Sequence, residues 1–453
     1  LFHKTACVKR KIFPVVAFLT LFLGLVTGAR TVEISAGEEV TAIEIRLDGQ
    51  SVRRLQAPPW TLNVDFGDTP KPHFLSAIAF DKLNKEIGRA SQRVNLPRSL
   101  AEATLILLPG AGGKGRAVQL SWQCAVAAKP TKTVVTFDGK SIPVPDPRRI
   151  SLPDFVPEQL HFMKADLDFP RNLTASAEIT FGGQSRDETQ AELTAVPVLS
   201  AMKKLPSLDG FFVVGGNPAR VMAVEEEGPA EITIVLDEAA RETLARLAAR
   251  YESQPPLPRN PATGGTLLLR GIASLASGQR ARFVWPLTET FVNGDITFEL
   301  FPRTEDFDRS AGGLLYLLTH VFAPGIPDAP RLADATAVAG LSAVARNRAR
   351  AAVLVLGGSR DGSALSPAGA RAYLASLGVP LFVWTAGPRG AAAGAAWAGA
   401  TDLADVSTHG GFGDAAKRLF AHLARQRIVW LEGVHLPQDV GLSASASGLT
   451  LVR

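Results

Sequence analysis

A ten-residue pattern occurs twice in this chain, with its copies about 90 residues apart, the size of an immunoglobulin-like domain. Ile43-Glu44-Ile45-Arg46-Leu47-Asp48-Gly49-Gln50-Ser51-Val52 is echoed by Thr133-Val134-Val135-Thr136-Phe137-Asp138-Gly139-Lys140-Ser141-Ile142. Both copies run through strand-forming residues into Asp-Gly, a hairpin signal. A second echo follows each: His73-Phe74-Leu75-Ser76-Ala77 and His161-Phe162-Met163-Lys164-Ala165. Two β-sandwiches are therefore expected, over residues 30–98 and 99–184. His73 and His161 occupy matching places and read as packed or capping histidines at the start of a strand.

The rhythm changes near residue 229. Ile232-Thr233-Ile234-Val235-Leu236 is a short buried strand ending at Asp237, and Ala240, Leu244, Leu247, Ala248 and Tyr251 then recur at helical spacing. Ala351 to Leu356 is wholly apolar, as a strand covered on both faces must be. Strands alternating with helices over 229–426 predict a three-layer, doubly wound α/β domain with a mostly parallel sheet. Residues 185–228 read as a polar linker and a β-hairpin, and 427–453 as a β tail.

Hydrophobic residues make up 46% and charged residues 20% of the 453 positions, which excludes a wholly disordered chain and a multi-span membrane protein. Lys4, Lys9, Arg10 and Lys11 precede an apolar run from Ile12 to Val26, with small residues at Thr27-Gly28-Ala29. That order reads as a secretory signal over residues 1–29, with an uncleaved anchor as the competitor. Cleavage after Ala29 would reduce the net charge from +5 to +1, so nothing in the charge supports a nucleic-acid partner. Cys7 would leave with the signal and Cys124 would remain alone.

Glu231 to Asp237, Arg331-Leu332-Ala333-Asp334-Ala335, Ala349 to Gly358 with Leu365-Ser366-Pro367, and Val379 to Trp384 together resemble a von Willebrand factor type A domain. The resemblance is to the secreted, acidobacterial-type proteins that carry it and spans roughly residues 30–430. It implies a metal-ion-dependent adhesion site at the carboxyl ends of the strands, built as Asp-x-Ser-x-Ser, a later Thr and a later Asp. Asp237 matches the first position. The serine positions are Ala239 and Arg241, the Thr position is Pro330, and the late Asp position falls at Gly357 or Gly358, with Asp361 beyond. Alanine, glycine and proline side chains supply no oxygen to a hard cation. The expectation is a decayed metal site with no cofactor, in which Arg241 pairs with Asp237 in the cation's place.

Other motifs point to no chemistry. Pro109 to Gly115 lacks the spacing of a phosphate loop. Gly357-Gly358-Ser359-Arg360-Asp361 misses the last glycine of a nucleophile elbow, although His409 and His435 follow it. Asn172-Leu173-Thr174 is a lone glycosylation triplet. The reading is an exported, periplasmic or secreted, non-enzymatic protein with an unknown protein partner in the cell envelope or beyond it. It would touch a membrane only through an uncleaved signal. Two alternatives stay open: a metal-dependent adhesion protein using Asp237 and Asp361, and a cryptic hydrolase using Ser359.

Overall fold

Alternation of apolar and polar residues builds the first sandwich of the computed structural model. The structure describes residues 16–453 except 21, 23–24, 97–100, 109–116, 125–128, 148, 157–158, 171–172, 183–192, 201, 203–204, 206–207, 226–228, 253–270, 294–295 and 326–328. Cys7, the loop at 109–115 and Asn172 lie outside the described residues. The chain divides into two units, Leu1–Leu96 and Pro97–Arg453.

The first unit holds β1 (Val16–Phe18), β2 (Ala29–Ala36), β3 (Ala42–Leu47), β4 (Gln50–Leu55), β5 (Thr61–Asp65), β6 (His73–Phe80) and β7 (Glu86–Val94). Its sheets run β1-β2-β5 and β4-β3-β6-β7. Val32, Ile34, Leu62 and Val64 of one face Ile43, Ile45, Leu75 and Ala77 of the other. Part of the expected signal is built into this sandwich. Val16–Phe18 pairs antiparallel with β2. Val16 and Val26 are buried, and the main chain of Val26 is held at both N and O by the Asn95 amide, at 2.7 and 2.8 Å. An apolar run is what both a leader and a core strand require, so composition alone does not separate them.

The second unit opens with β8 (Ala101–Leu108), β9 (Ala117–Cys124), β10 (Lys132–Phe137), β11 (Lys140–Ile142), β12 (Ile150–Ser151), β13 (Leu160–Phe169) and β14 (Leu173–Gly182). These form sheets β12-β9-β8 and β11-β10-β13-β14 around Leu105, Val118, Leu120, Val135, Met163 and Ala165. The repeated sequence has a repeated geometry. Asp48 and Asp138 take positive φ (52° and 47°) ahead of Gly49 and Gly139, as a tight hairpin turn requires. Each Asp then reaches the next strand. Asp48 accepts from Phe74 N at 2.8 Å and meets His73 Nδ1 at 2.7 Å; Asp138 accepts from Phe162 N at 2.9 Å and meets His161 Nδ1 at 2.7 Å.

Next come β15 (Leu193–Ser200), β16 (Phe212–Val214), β17 (Asn217–Ala219) and β18 (Val221–Glu225), then the α/β domain. Its elements are β19 (Ala230–Leu236), α1 (Arg241–Glu252), β20 (Arg280–Phe283), the hairpin β21 (Glu289–Asn293) and β22 (Ile296–Leu300), α2 (Leu314–His320), α3 (Leu332–Val344) and β23 (Ala349–Leu356). They continue with α4 (Pro367–Ser376), β24 (Leu381–Thr385), α5 (Gly387–Gly394), β25 (Asp402–Asp405) and α6 (His409–Arg425). The sheet is wholly parallel in order β20-β19-β23-β24-β25. Residues of α1, α2 and α6 join Ile232, Ile234, Val353 and Val355 in one core on one face. Helix α3 contacts β19 and β23 without sharing that core, so it covers the opposite face and α4 packs beside it.

The tail supplies β26 (Gln426–Glu432), β27 (Val440–Leu442) and β28 (Leu449–Leu451). Here the expected division needs correction. Leu193–Ser200 is not linker: it lies between β26 and β28 in the sheet β18-β26-β15-β28, and β16 pairs with β27. Residues 193–225 and 426–451 share one core through Val196, Val198, Phe212, Val429 and Leu431. Partners such as Thr194 and Gly433 are 239 residues apart, so no local pattern signals the pairing. Among the described residues no helix is long and apolar enough to cross a membrane.

Candidate functional site at the carboxyl ends of the parallel strands

The strand order reverses between β19 and β23: β20 lies on one side of β19, and the later strands extend from the other. Open α/β sheets form their crevice at such a switch point. Asp237 follows β19 and Gly357-Gly358-Ser359 follows β23, so both segments meet there.

Asp237 is fully buried (0% exposed), and its carboxylate is filled by protein donors. Oδ2 accepts from Gly357 N at 2.8 Å and Ser359 N at 3.0 Å; Oδ1 accepts from the Ser359 hydroxyl at 2.6 Å and Ala239 N at 3.1 Å. Charged acceptors make stronger hydrogen bonds than neutral ones, so these four hold the loop down on the carboxylate. The backbone is equally close. A Cβ at Gly357 would overlap the main chain of Ala239 and Ala240, and one at Gly358 (φ 96°) would overlap Arg389.

Arg241 does not pair with Asp237, contrary to expectation. It pairs with Glu238, and its Nη1 and Nη2 donate to Leu318 O and Val321 O, both at 3.0 Å. Arg241 opens α1, and the carbonyls at the end of α2 carry the partial negative charge that draws the guanidinium there. Phe322, 65% exposed, stacks on it at 4.5 Å.

Asp361 sits in a separate cluster. Its oxygens accept from Leu332 N at 2.8 Å, Ala333 N at 3.2 Å and the Ser363 hydroxyl at 2.6 Å, capping α3. Asp334, which the sequence did not single out for a role, accepts from Ala364 N and Leu365 N at 3.0 and 2.9 Å and pairs with Arg331 at 2.8 Å. Pro330 contributes its carbonyl to Gly362 N at 2.9 Å. The structure thus brings Asp237 to Ser359 and leaves Asp361 with α3. The helix-start spacing Arg331-x-x-Asp334 was the available signal for the missed residue.

The Ser359 hydroxyl donates to the Asp237 carboxylate at 2.6 Å. His409 Nε2 meets Leu247 O at 3.2 Å and His435 Nε2 meets Glu432 O at 2.6 Å, so each of these rings has a backbone partner. Neither histidine is the hydrogen-bond partner of the Ser359 hydroxyl, whose partner is the Asp237 carboxylate.

The opposite end of the sheet is occupied. Glu231, at the amino end of β19, accepts from Arg346 at 3.0 Å and Arg348 at 3.3 Å. Those arginines also reach the second sandwich: Arg346 meets Asp168 at 3.4 Å and Arg348 meets Asp166 at 2.8 Å. Lys164 donates to Arg346 O at 3.1 Å, and the rings of Phe162 and Trp430 lie 5.9 Å apart. Glu178 lies inside this joint, 3.4 Å from Lys164. Burial pushes its carboxyl up to about 7, with Asp166 and Glu225 adding to the rise and Lys164 opposing it. Asp237 is six residues along β19 from Glu231, about 20 Å at the rise of a strand. The loops around Asp237 therefore project from the end of the sheet away from the sandwich.

No family model matches the sequence, and no curated protein matches it. Structural neighbours are β-sandwich modules. The fibronectin(III)-like modules of Clostridium thermocellum CbhA share 14% identity, cover 17% of this chain and 92% of their own, and give a TM-score of 0.16. The central fibronectin-III array of RIM-binding protein shares 12% identity over 42% of this chain and 80% of its own, with a TM-score of 0.20. A 1.5-MDa bacterial ice-binding adhesin shares 12% identity over 43% and 75%, with a TM-score of 0.15. TM-scores this low carry no argument about what the chain does.

Proposed function

We propose that the chain is a non-enzymatic protein-binding or scaffold protein, in which β-sandwiches accompany a von Willebrand factor type A-like domain whose metal site has closed. The observation that carries this is the saturation of Asp237. A cation-bridged adhesion site needs carboxylate and hydroxyl oxygens free to ligate. Asp237 already accepts four hydrogen bonds, and the Ser359 hydroxyl is directed at it. Partner contact by the loops around Asp237, Pro330 and Gly358 then relies on surface complementarity without a bridging ion. The resemblance to secreted von Willebrand-type proteins carries an exported, periplasmic or secreted setting. Residues 12–26 do not, because the first sandwich uses part of them.

The test is thermal unfolding of the full chain with chelator and then with millimolar Mg²⁺, Ca²⁺ or Mn²⁺, beside labelling by a serine-directed probe. A ligand that binds only the folded state raises the midpoint by mass action. An unchanged midpoint and no labelling are expected. A rise lost in Asp237→Ala overturns the closed site in favour of metal-dependent adhesion. Labelling lost in Ser359→Ala overturns the non-enzymatic reading.

A further inference from the structure

The two sandwiches use the same sheet face differently. In the second, the outward side chains of β13 are Phe162, Lys164, Asp166 and Asp168, and they meet Arg346 and Arg348 of the α/β domain and Trp430 of β26. The sheet order β11-β10-β13-β14 matches β4-β3-β6-β7, and His161 matches His73. Phe74, Ser76, Ile78 and Phe80 therefore occupy, in the first sandwich, the places of those four residues.

Around them the charge is reversed. Strand register puts Arg54, Glu44, Ile78 and Arg89 in one row across the sheet, Arg46 beside Ser76, and Arg93 beside Phe74. Glu44 takes two hydrogen bonds from Arg46 at 3.0 and 3.1 Å, and Glu86 takes two from Arg89 at 3.1 and 3.2 Å. Arg54 stacks on Phe80 at 4.5 Å and donates to Asn84. Arg93 is exposed and forms no ion pair among the described residues. The face thus keeps four guanidinium groups against two carboxylates. Phe74 and Phe80 remain half-buried, and Ile78 is 2% exposed. Aromatic residues with arginine are the pair that protein interfaces enrich, whereas lysine and glutamate are depleted there.

We propose that this face of the first sandwich, with Phe74 and Phe80 flanked by Arg46, Arg54, Arg89 and Arg93, docks a protein partner whose surface is acidic. The arrangement inverts the joint inside the chain. There strand carboxylates receive arginines; here strand arginines receive carboxylates. The inference deepens the protein-binding reading, but its surface lies on a unit apart from Asp237, so either can fail alone.

The test uses the full chain and a fluorescent peptide alternating glutamate with phenylalanine and threonine, which as a strand presents carboxylates on one side. Saturable binding is expected by anisotropy, weakened at least tenfold in the double variant Arg89→Glu and Arg93→Glu with an unchanged thermal midpoint. A peptide with lysine in place of glutamate should not bind. Equal binding by the lysine peptide, indifference to charge reversal, or no binding at millimolar peptide overturns the proposal. Protection of Arg89 and Arg93 from phenylglyoxal in the full chain also overturns it, since the rest of the chain would then cover the face. Self-association abolished by the double variant overturns it as well, by assigning the face to a second copy.

Discussion

Asp237→Ala removes the acceptor of four hydrogen bonds at a fully buried position. Alanine offers no oxygen, so the N–H groups of Gly357, Ser359 and Ala239 lose their partner together. A buried donor left unsatisfied costs about 1–3 kcal/mol, taken as about 1.5 kcal/mol for each bond to this carboxylate. The two donors to Oδ2 alone set a loss of about 3 kcal/mol, and the full set raises it to about 6 kcal/mol. That is a large share of the roughly 5–15 kcal/mol that holds a domain folded. Urea unfolding followed by the tryptophans Trp285, Trp384 and Trp397 of the α/β domain reads the change as a lower midpoint at constant slope. Asp237→Asn keeps one oxygen and should lose about half as much. All three proteins should give the same midpoints with chelator and with millimolar Mg²⁺. A loss below about 1 kcal/mol would mean the carboxylate does not organise the loop. Cation stabilisation of the wild type alone would mean the hydrogen bonds yield to a metal.

Further expectations follow from the same packing. Gly357→Ala forces a Cβ into the backbone of Ala239 and Ala240, and should lower stability by about 3 kcal/mol or more, checked by denaturant unfolding. Removing residues 1–28 takes away β1 and Val26 and leaves the buried Asn95 without either Val26 partner. Calorimetry should then lack the transition of the first sandwich, and an intact transition would refute the assignment of this segment to its core. Glu178 has its carboxyl raised from 4.5 to about 7, so the folded state holds the proton more tightly. Its contribution is present below 4.5 and lost as pH rises through 7, by at most about 3 kcal/mol. Glu178→Gln should flatten this fall in a stability–pH series, and an identical slope in the variant would refute the assignment. Arg346→Ala leaves the buried Glu231 with Arg348 alone and should cost about 3–5 kcal/mol, read by urea midpoint.

The sandwiches were legible because strand side chains alternate with period two and because Asp-Gly followed by His-Phe marks the same hairpin and strand twice. The α/β domain was legible for the matching reason: helical spacing after Asp237 and a wholly apolar stretch at Ala351 to Leu356 are local patterns. That Ala239, Arg241 and Pro330 carry no side-chain oxygen is also read directly from the sequence. What fills Asp237 was not legible, because three of its four donors come from residues 120 and 122 positions away and two of those three are backbone N–H groups, which every residue but proline carries. Nor was the partner of Arg241, which the end of α2 draws away from Asp237. The same limit hid the pairing of 193–200 with 426–432, the joint between Arg348 and Asp166, and the pairing of Val16–Phe18 with β2. Sequence by itself determined many of the strands and helices of the sandwiches and the α/β domain and which face of each is apolar, since those depend on neighbours a few residues away. Only the tertiary structure decided which distant groups satisfy each buried charge and each strand edge, since hydrogen bonds are made to whatever the fold brings within 3 Å.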